Sequence, residues 1–173
     1  PSRSARRPGG PWSRRSAESE RVAALAARLG AADRVVVADD RALEQPPAEV
    51  VMAVLQQLIA SQRATLVLLG GTNVSFGLGA RLAVRARLPF LNFCKGARIE
   101  DGAVVFTSHL FGGKIFTDVR LPGNQGIVSI CPGLFPTDAG RSERAPFVEK
   151  IAAPALGSKV AFRRFIEPAA GAA

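Results

Sequence analysis

Residues 65–89 read TLVLLGGTNVSFGLGARLAVRARLP. Thr65–Leu69 is a continuously apolar strand, Gly70–Gly77 a loop of glycine and small polar residues, and Gly77–Arg87 a basic helix. A strand without polar alternation is buried on both faces, as in a parallel sheet. Ligands of α/β sheets collect at the carboxyl ends of such strands, where strand turns into helix. Gly71, Thr72, Asn73, Ser75 and Gly77 are therefore the candidate nucleotide-loop residues, whose amides and hydroxyls suit an anion at a helix N-terminus. A plainer account needs no ligand: two glycines make the turn, and Ser75 or Asn73 caps the helix through its side-chain oxygen. Neither the P-loop spacing ending in Lys-Ser/Thr nor a G-x-G-x-x-G is present, so the loop alone leaves cradle and turn both open.

Upstream, Glu20–Leu29 is an alanine-rich helix with Val22, Leu25, Ala26 and Leu29 on one face, and Gly30 is the expected C-terminal cap. DRVVVADD (33–40) contains a short apolar strand, Arg34–Ala38, ending in acidic residues. QPPAEVVMAVLQQLIASQ (45–62) is a second helix, with its prolines at or before the first turn and Val50, Val51, Val54, Leu55 and Leu58 as its buried stripe. Helix, strand, helix, strand, helix with short connectors predicts an α/β fold whose parallel sheet is covered on both faces. Beyond Pro89 the pattern changes to antiparallel strands, with Glu100-Asp101-Gly102 as a hairpin turn, Gly112-Gly113 as a second break, and a strand in GIVSICPGLFP closed by Pro132-Gly133.

Composition sets the limits. The 173 residues suit one domain with some surplus, and 47% hydrophobic with 21% charged residues is ordinary for a globular chain. No apolar run reaches the roughly 20 residues that span a bilayer. No apolar segment of a secretory signal follows the basic N-terminus. Two cysteines and one histidine exclude a disulfide scaffold and a multi-histidine metal site, and point to a reducing compartment, cytoplasmic or an organelle matrix. The net charge of +9 is concentrated, since Arg3, Arg6, Arg7, Arg14 and Arg15 lie in the first fifteen residues among Pro, Gly and Ser. Without a stripe or aromatic interleaving elsewhere, no specific nucleic-acid partner is expected. Residues 1–16 are expected to be a disordered basic tail, and a start at proline reads as a processed chain or a fragment.

Little here assembles chemistry. His109, in SHLFGG, has no carboxylate or cysteine near it in sequence and reads as a packed or surface histidine. Cys94 beside Lys95 is a candidate activated thiol with an incidental alternative, and Cys131 reads as a small core residue. Asp39-Asp40 at a strand end suits a ribose hydroxyl but needs no ligand. With no nucleophile, base and orienting group in evidence, the chain does not read as an autonomous enzyme.

The order of four segments is more specific than any one of them. Gly70-Gly71-Thr72 stands where the electron transfer flavoprotein alpha subunit has Gly-Ala-Thr, and Leu78-Gly79-Ala80-Arg81-Leu82-Ala83 where it has Leu-Ala-Pro-Arg-Leu-Ala. Phe111-Gly112-Gly113-Lys114 is similar to its aromatic-Gly-Gly-Lys/Asn strand, and Cys131-Pro132-Gly133-Leu134-Phe135 to its Arg-Pro-Gly-x-Phe turn. From Ser19 to Pro136 the chain thus resembles the N-terminal domain of that subunit. Asn92-Phe93 replaces a small hydroxyl residue and Asp, Ser108-His109 an Arg-Pro pair, and Cys131 an Arg.

The resemblance implies a three-layer, parallel-sheet α/β domain of the adenine-nucleotide-hydrolase-like kind, with antiparallel strands in its second half. It implies an electron-transport heterodimer carrying FAD, which takes electrons from acyl-CoA or other dehydrogenases and passes them to a membrane-linked respiratory acceptor. FAD is then held by a separate C-terminal domain rather than by this chain alone, AMP by the beta-like partner subunit, and the Gly70–Gly77 loop is empty. The family's opening strand–helix–strand and its flavin domain are absent from this sequence. The organisation expected is a basic tail at 1–16, the α/β domain at 17–136, and an extended tail or linker towards the flavin domain at 137–173. The alternative function is a stand-alone adenine-nucleotide-binding module. A third, weaker reading is nucleic-acid association through the arginine tail.

Overall fold

A computed structural model describes residues 21–40, 43, 45–73, 75–136, 138–139, 142–154, 160, 162–164 and 166. The basic tail at 1–16 and much of the final segment lie outside the described residues. The element order is a helix at 21–27 (α1), β1 (Arg34–Ala38), α2 (Ala48–Gln62), β2 (Leu66–Gly70), α3 (Leu78–Ala86), β3 (Phe90–Glu100), β4 (Ala103–Leu110), β5 (Ile115–Arg120), β6 (Gly126–Ile130) and β7 (Phe147–Ile151). The chain is an α/β protein with a mixed sheet, as expected.

The local signals explain the helices. Pro47 is the N-cap of α2, where its missing N–H costs nothing, and Glu49 sits in the positively polarised first turn. The helix closes on Arg63 in the left-handed region (φ 50°), with the Ala64 amide donating to the Ile59 carbonyl at 3.1 Å. Helix α3 ends the same way, with Arg87 at φ 54° and the Leu88 amide donating to the Ala83 carbonyl at 3.0 Å.

The main sheet runs β2-β6-β3-β4-β5. The chain passes from β2 through α3 to β3, leaves through two antiparallel pairings, and returns as β6 to lie parallel to and between β2 and β3. Between β3 and β4, Asp101 (φ 49°) and Gly102 (φ 75°) form the two-residue turn whose twist matches a hairpin. Alternate residues of the parallel strands feed two separate cores. Val67, Leu69, Ile127 and Phe90 pack with Met52, Leu78, Leu82 and Ala83 of the helices. Leu66, Val128, Ile130 and Leu91 pack on the opposite face with Cys94, Phe106 and Leu121. This is why these strands show no polar alternation. The stripe expected on α2 is buried or half-buried, but it wraps further round than expected: Val51 and Leu55 join Met52 in the first core, whereas Val50 and Val54 are buried away from it.

Elsewhere the structure departs from the sequence-based expectation. β1 pairs not with β2 but with β7, parallel, in a separate two-stranded sheet. β7 falls within the stretch expected to be an extended tail; its signal was missed because FVEKI is short and half-polar. Arg34 ties this sheet to α2 by donating to Gln62 Oε1 at 2.8 Å, and it also pairs with Glu149 across the two strands. On α1 only Ala26 of the expected face is buried; Val22, Leu25 and Leu29 are exposed. Gly30 is not a left-handed cap. It is glycine because a Cβ would lie 2.3 Å from the Arg144 carbonyl oxygen.

Candidate functional site

Parallel pairing brings the carboxyl ends of β2 and β6 beside the middle of β3, with Gly70 opposite Ile130 and Ile130 opposite Cys94. There, between the strand ends and the first turn of α3, lies a cleft of about 150 Å³. Gly71, Thr72, Ser75, Phe76, Gly77 and Ala80 form one wall, and Asn92, Phe93, Ser129 and Cys131 the other. Of the candidate nucleotide-loop residues, Gly71, Thr72, Ser75 and Gly77 line this cleft, and Asn73 is exposed and does not.

The loop's polar groups are turned onto the loop itself. The Thr72 amide donates to Ser75 Oγ at 2.9 Å, and the two hydroxyls lie 3.1 Å apart. Ser75 Oγ donates in turn to the carbonyl oxygens of Gly70 and Thr72. The Gly71 amide is taken by the Ile130 carbonyl at 2.7 Å, which extends the β2–β6 ladder into the loop. A Cβ at position 71 would sit 2.8 Å from that same oxygen, so glycine is demanded here by a backbone neighbour. Neither Ser75 nor Asn73 caps α3 by a side-chain hydrogen bond. The N-cap is Gly77 at φ 78°, and the Leu78 amide donates to the Ser75 backbone carbonyl at 3.0 Å. Ser75 therefore braces the turn instead of capping the helix. Gly79 lets α3 lie on β3, since a Cβ would meet the Phe90 ring at 2.5 Å.

The second wall holds the residues that differ from the motifs of the alpha-subunit family. The Asn92 side-chain oxygen accepts from the Phe93 amide at 2.9 Å, and Phe93 takes a left-handed backbone (φ 53°) at the irregularity in β3. Ser108, buried on β4, donates to the Asn92 carbonyl at 2.6 Å. His109 stands between Phe93, edge-on at 5.2 Å, and Phe116, stacked at 6.4 Å. Its Nε2 lies 4.0 Å from Cys131 Sγ. The expectation that no cysteine lies near His109 is therefore corrected: β4 and β6 both flank β3, and only that topology joins residues 22 apart in sequence.

Of the two readings open for Cys94, the structure supports the incidental one: it is fully buried, its thiol is aimed at the Gly96 carbonyl at 3.1 Å, and burial pushes its pKa up. Cys131, read as a core residue, is half-buried and lines the cleft. Asp39 approaches Lys150 of β7 at 4.0 Å and is absent from the cleft. Among the described residues no group of three His, Cys, Asp or Glu could hold a metal ion, and no helix is long and apolar enough to cross a membrane.

Comparison with known proteins agrees with the order of segments. Residues 15–156 match the family model described as the electron transfer flavoprotein domain. Protein FixB of Clostridium saccharobutylicum is 25% identical over 107 residues, which cover 60% of this chain and 32% of FixB. The matched segment thus spans about a third of that relative's length. From Ser19 to Pro136 the four motifs keep their order on the β2–α3 loop, on α3, at the β4–β5 connection and after β6, and the match covers them all: the chain belongs to the electron transfer flavoprotein domain family.

Proposed function

We propose that this chain is the alpha-type N-terminal domain of an electron transfer flavoprotein. In this reading it is a docking scaffold in a heterodimeric, FAD-dependent carrier between dehydrogenases and a respiratory acceptor. The family match over residues 15–156 carries the proposal. FAD supplies the redox chemistry in such a carrier, and the polypeptide supplies orientation and docking. Exposed Phe76, Phe93, Phe111 and Phe116 support a docking role, because exposed apolar groups of this size mark interaction surfaces. The partners proposed are a beta-like subunit and, through the complex, acyl-CoA or other dehydrogenases, in a reducing compartment.

The loop does not fit a nucleotide phosphate. The Thr72 amide and the Thr72 and Ser75 hydroxyls, which a phosphate would need, are engaged with one another. The cleft, at about 150 Å³, is also below the roughly 300–1,000 Å³ of small-molecule sites. This favours the turn over the cradle and supports placing FAD on a segment other than residues 15–156 and AMP on the partner. Purified alone, the chain is expected to be colourless and to give no calorimetric heat with FAD, AMP or ATP, yet to co-elute with an electron transfer flavoprotein beta subunit. Stoichiometric flavin on this chain alone would overturn the assignment. Micromolar AMP or ATP affinity lost in Ser75→Ala would favour the stand-alone nucleotide binder. Ser75→Ala is the better probe than Gly71→Val, which would break the β2–β6 seam whether or not a ligand binds.

A further inference from the structure

The Cys131–His109 pair has no part in that proposal. Three observations make it more than an isolated thiol. Cys131 Sγ is within 4.0 Å of His109 Nε2, and proton-accepting contacts of this kind are often loose until a ligand binds. The imidazole is held by rings on two sides, Phe93 and Phe116, so its direction is set by packing. The thiol also opens on a cleft whose lining, among the described residues, contains no carboxylate and includes Gly77, Gly79 and Ala80 of the α3 N-terminal turn.

Cys94 provides an internal control. The Cys131 amide donates to the Cys94 carbonyl at 2.9 Å, so the two are backbone neighbours. Their side chains serve opposite faces of the sheet: Cys94 belongs to the core with Phe106 and Val128, and Cys131 lines the cleft on the α3 side. Thiols directed apart in this way do not meet the geometry of a disulfide. A metal is not favoured either, since the pair offers two ligands where closed sites take four.

We propose that Cys131 is a thiol-exchange site that forms a mixed disulfide with a low-molecular-weight disulfide met at the mouth of the cleft, with His109 as its proton acceptor. The Cys131 S–H proton passes to His109 Nε2, and the thiolate sulfur attacks one sulfur of the incoming disulfide. The bond between Cys131 and that sulfur forms as the incoming S–S bond breaks. The released thiolate takes the proton from the imidazolium and leaves as a thiol. Cys131 is thereby oxidised and the departing sulfur reduced, with no other reactant.

The test uses the full chain and glutathione disulfide at neutral pH, with the adduct followed by intact mass and located by peptide mapping. One adduct is expected, on the peptide carrying Cys131, with Cys94→Ser reacting at the wild-type rate and Cys131→Ser not reacting. His109→Gly is expected to slow the reaction by roughly tenfold or more, and added imidazole to restore it, which a purely structural role for His109 would not allow. An adduct on Cys94, a wild-type rate in His109→Gly, or a slowed rate that imidazole does not restore overturns the proposal. Should the glycine variant lose the native circular dichroism spectrum, His109→Gln is read instead, and a wild-type rate there overturns it equally.

Discussion

The two sheets of this protein are built from similar strand sequences and differ in what surrounds them. RVVVA of β1 and LVLLG of β2 both read as strands buried on two faces. β2 achieves this only in part: β6 joins it to four more strands, so Val67 and Leu69 reach one core and Leu66 the other, but β2 is the outer strand and Leu68 stays exposed. Among the described residues β1 pairs only with β7; Val37 of β1 is buried, whereas Phe147 and Val148 of β7 remain exposed. A two-stranded sheet is marginal by itself, and three or more strands with an apolar face are needed for independent stability. An apolar strand sequence therefore states a demand for cover, and the topology decides whether the demand is met.

The sharpest way to break this comparison is a pair of truncations. Phe106→Ala, at a position 2% exposed in the main sheet, is expected to cost about 3–5 kcal/mol. Val148→Ala in β7, at a position 39% exposed, is expected to cost less than about 1 kcal/mol. Urea unfolding measures both, and equal losses would mean that the two sheets share one tight core.

A smaller effect is expected where α3 meets the main sheet. Gly79→Ala forces a methyl group against the Phe90 ring, at a cost of about 1–3 kcal/mol. Gly70→Ala, where nothing lies within 4 Å of a new Cβ, should be nearly neutral by the same measurement. Similar midpoints for the two variants would show that the seam yields as easily as the open turn.

The smallest effect belongs to the polar face of β3–β4–β5. Arg98 pairs with Asp118 at 2.8 Å and with Glu100 at 2.6 Å, Arg120 pairs with Glu100 at 3.0 Å, and Thr107 donates to Asp118 at 2.6 Å. The hydrogen bonds from Arg98 and then Thr107 lower the Asp118 pKa to about 2, from an ordinary 3.8. Those from Arg98 and Arg120 lower that of Glu100. A depressed carboxylate stabilises the fold fully above its unfolded value and loses that contribution as pH falls through the folded one, so Asp118 acts between about pH 4 and pH 2. Asp118→Asn should flatten the acid limb of the stability profile there and lower neutral stability by the same amount, which is small because these side chains are exposed. An unchanged acid limb would place the pH sensitivity elsewhere.

Much of the secondary structure was legible in the sequence, for definite reasons. β1 was read to the residue, and β2, α2 and α3 to within a few, because apolar runs, paired prolines and glycine turns act over a few residues. Asp101-Gly102 specified its hairpin for the same cause. The loop was legible as a turn, although its bracing was misassigned: Ser75 bonds back to Gly70, and only the folded loop shows which oxygen it reaches. The exposed face of α1 was unreadable as exposed, since Val22, Leu25 and Leu29 have the spacing of a buried stripe. Cys131 beside His109 left no trace in sequence, because their approach needs β6 to return beside β3 after the excursion through β4 and β5.

The sequence by itself determined most of the strands and helices, the β3–β4 hairpin turn and the family, since each depends on short-range sterics, periodicity or motif order. Which strand lies beside which, which apolar faces are covered, and which of two neighbouring thiols meets the histidine were decided only by the tertiary structure. Those are contacts between residues far apart along the chain, and no local propensity carries information about them.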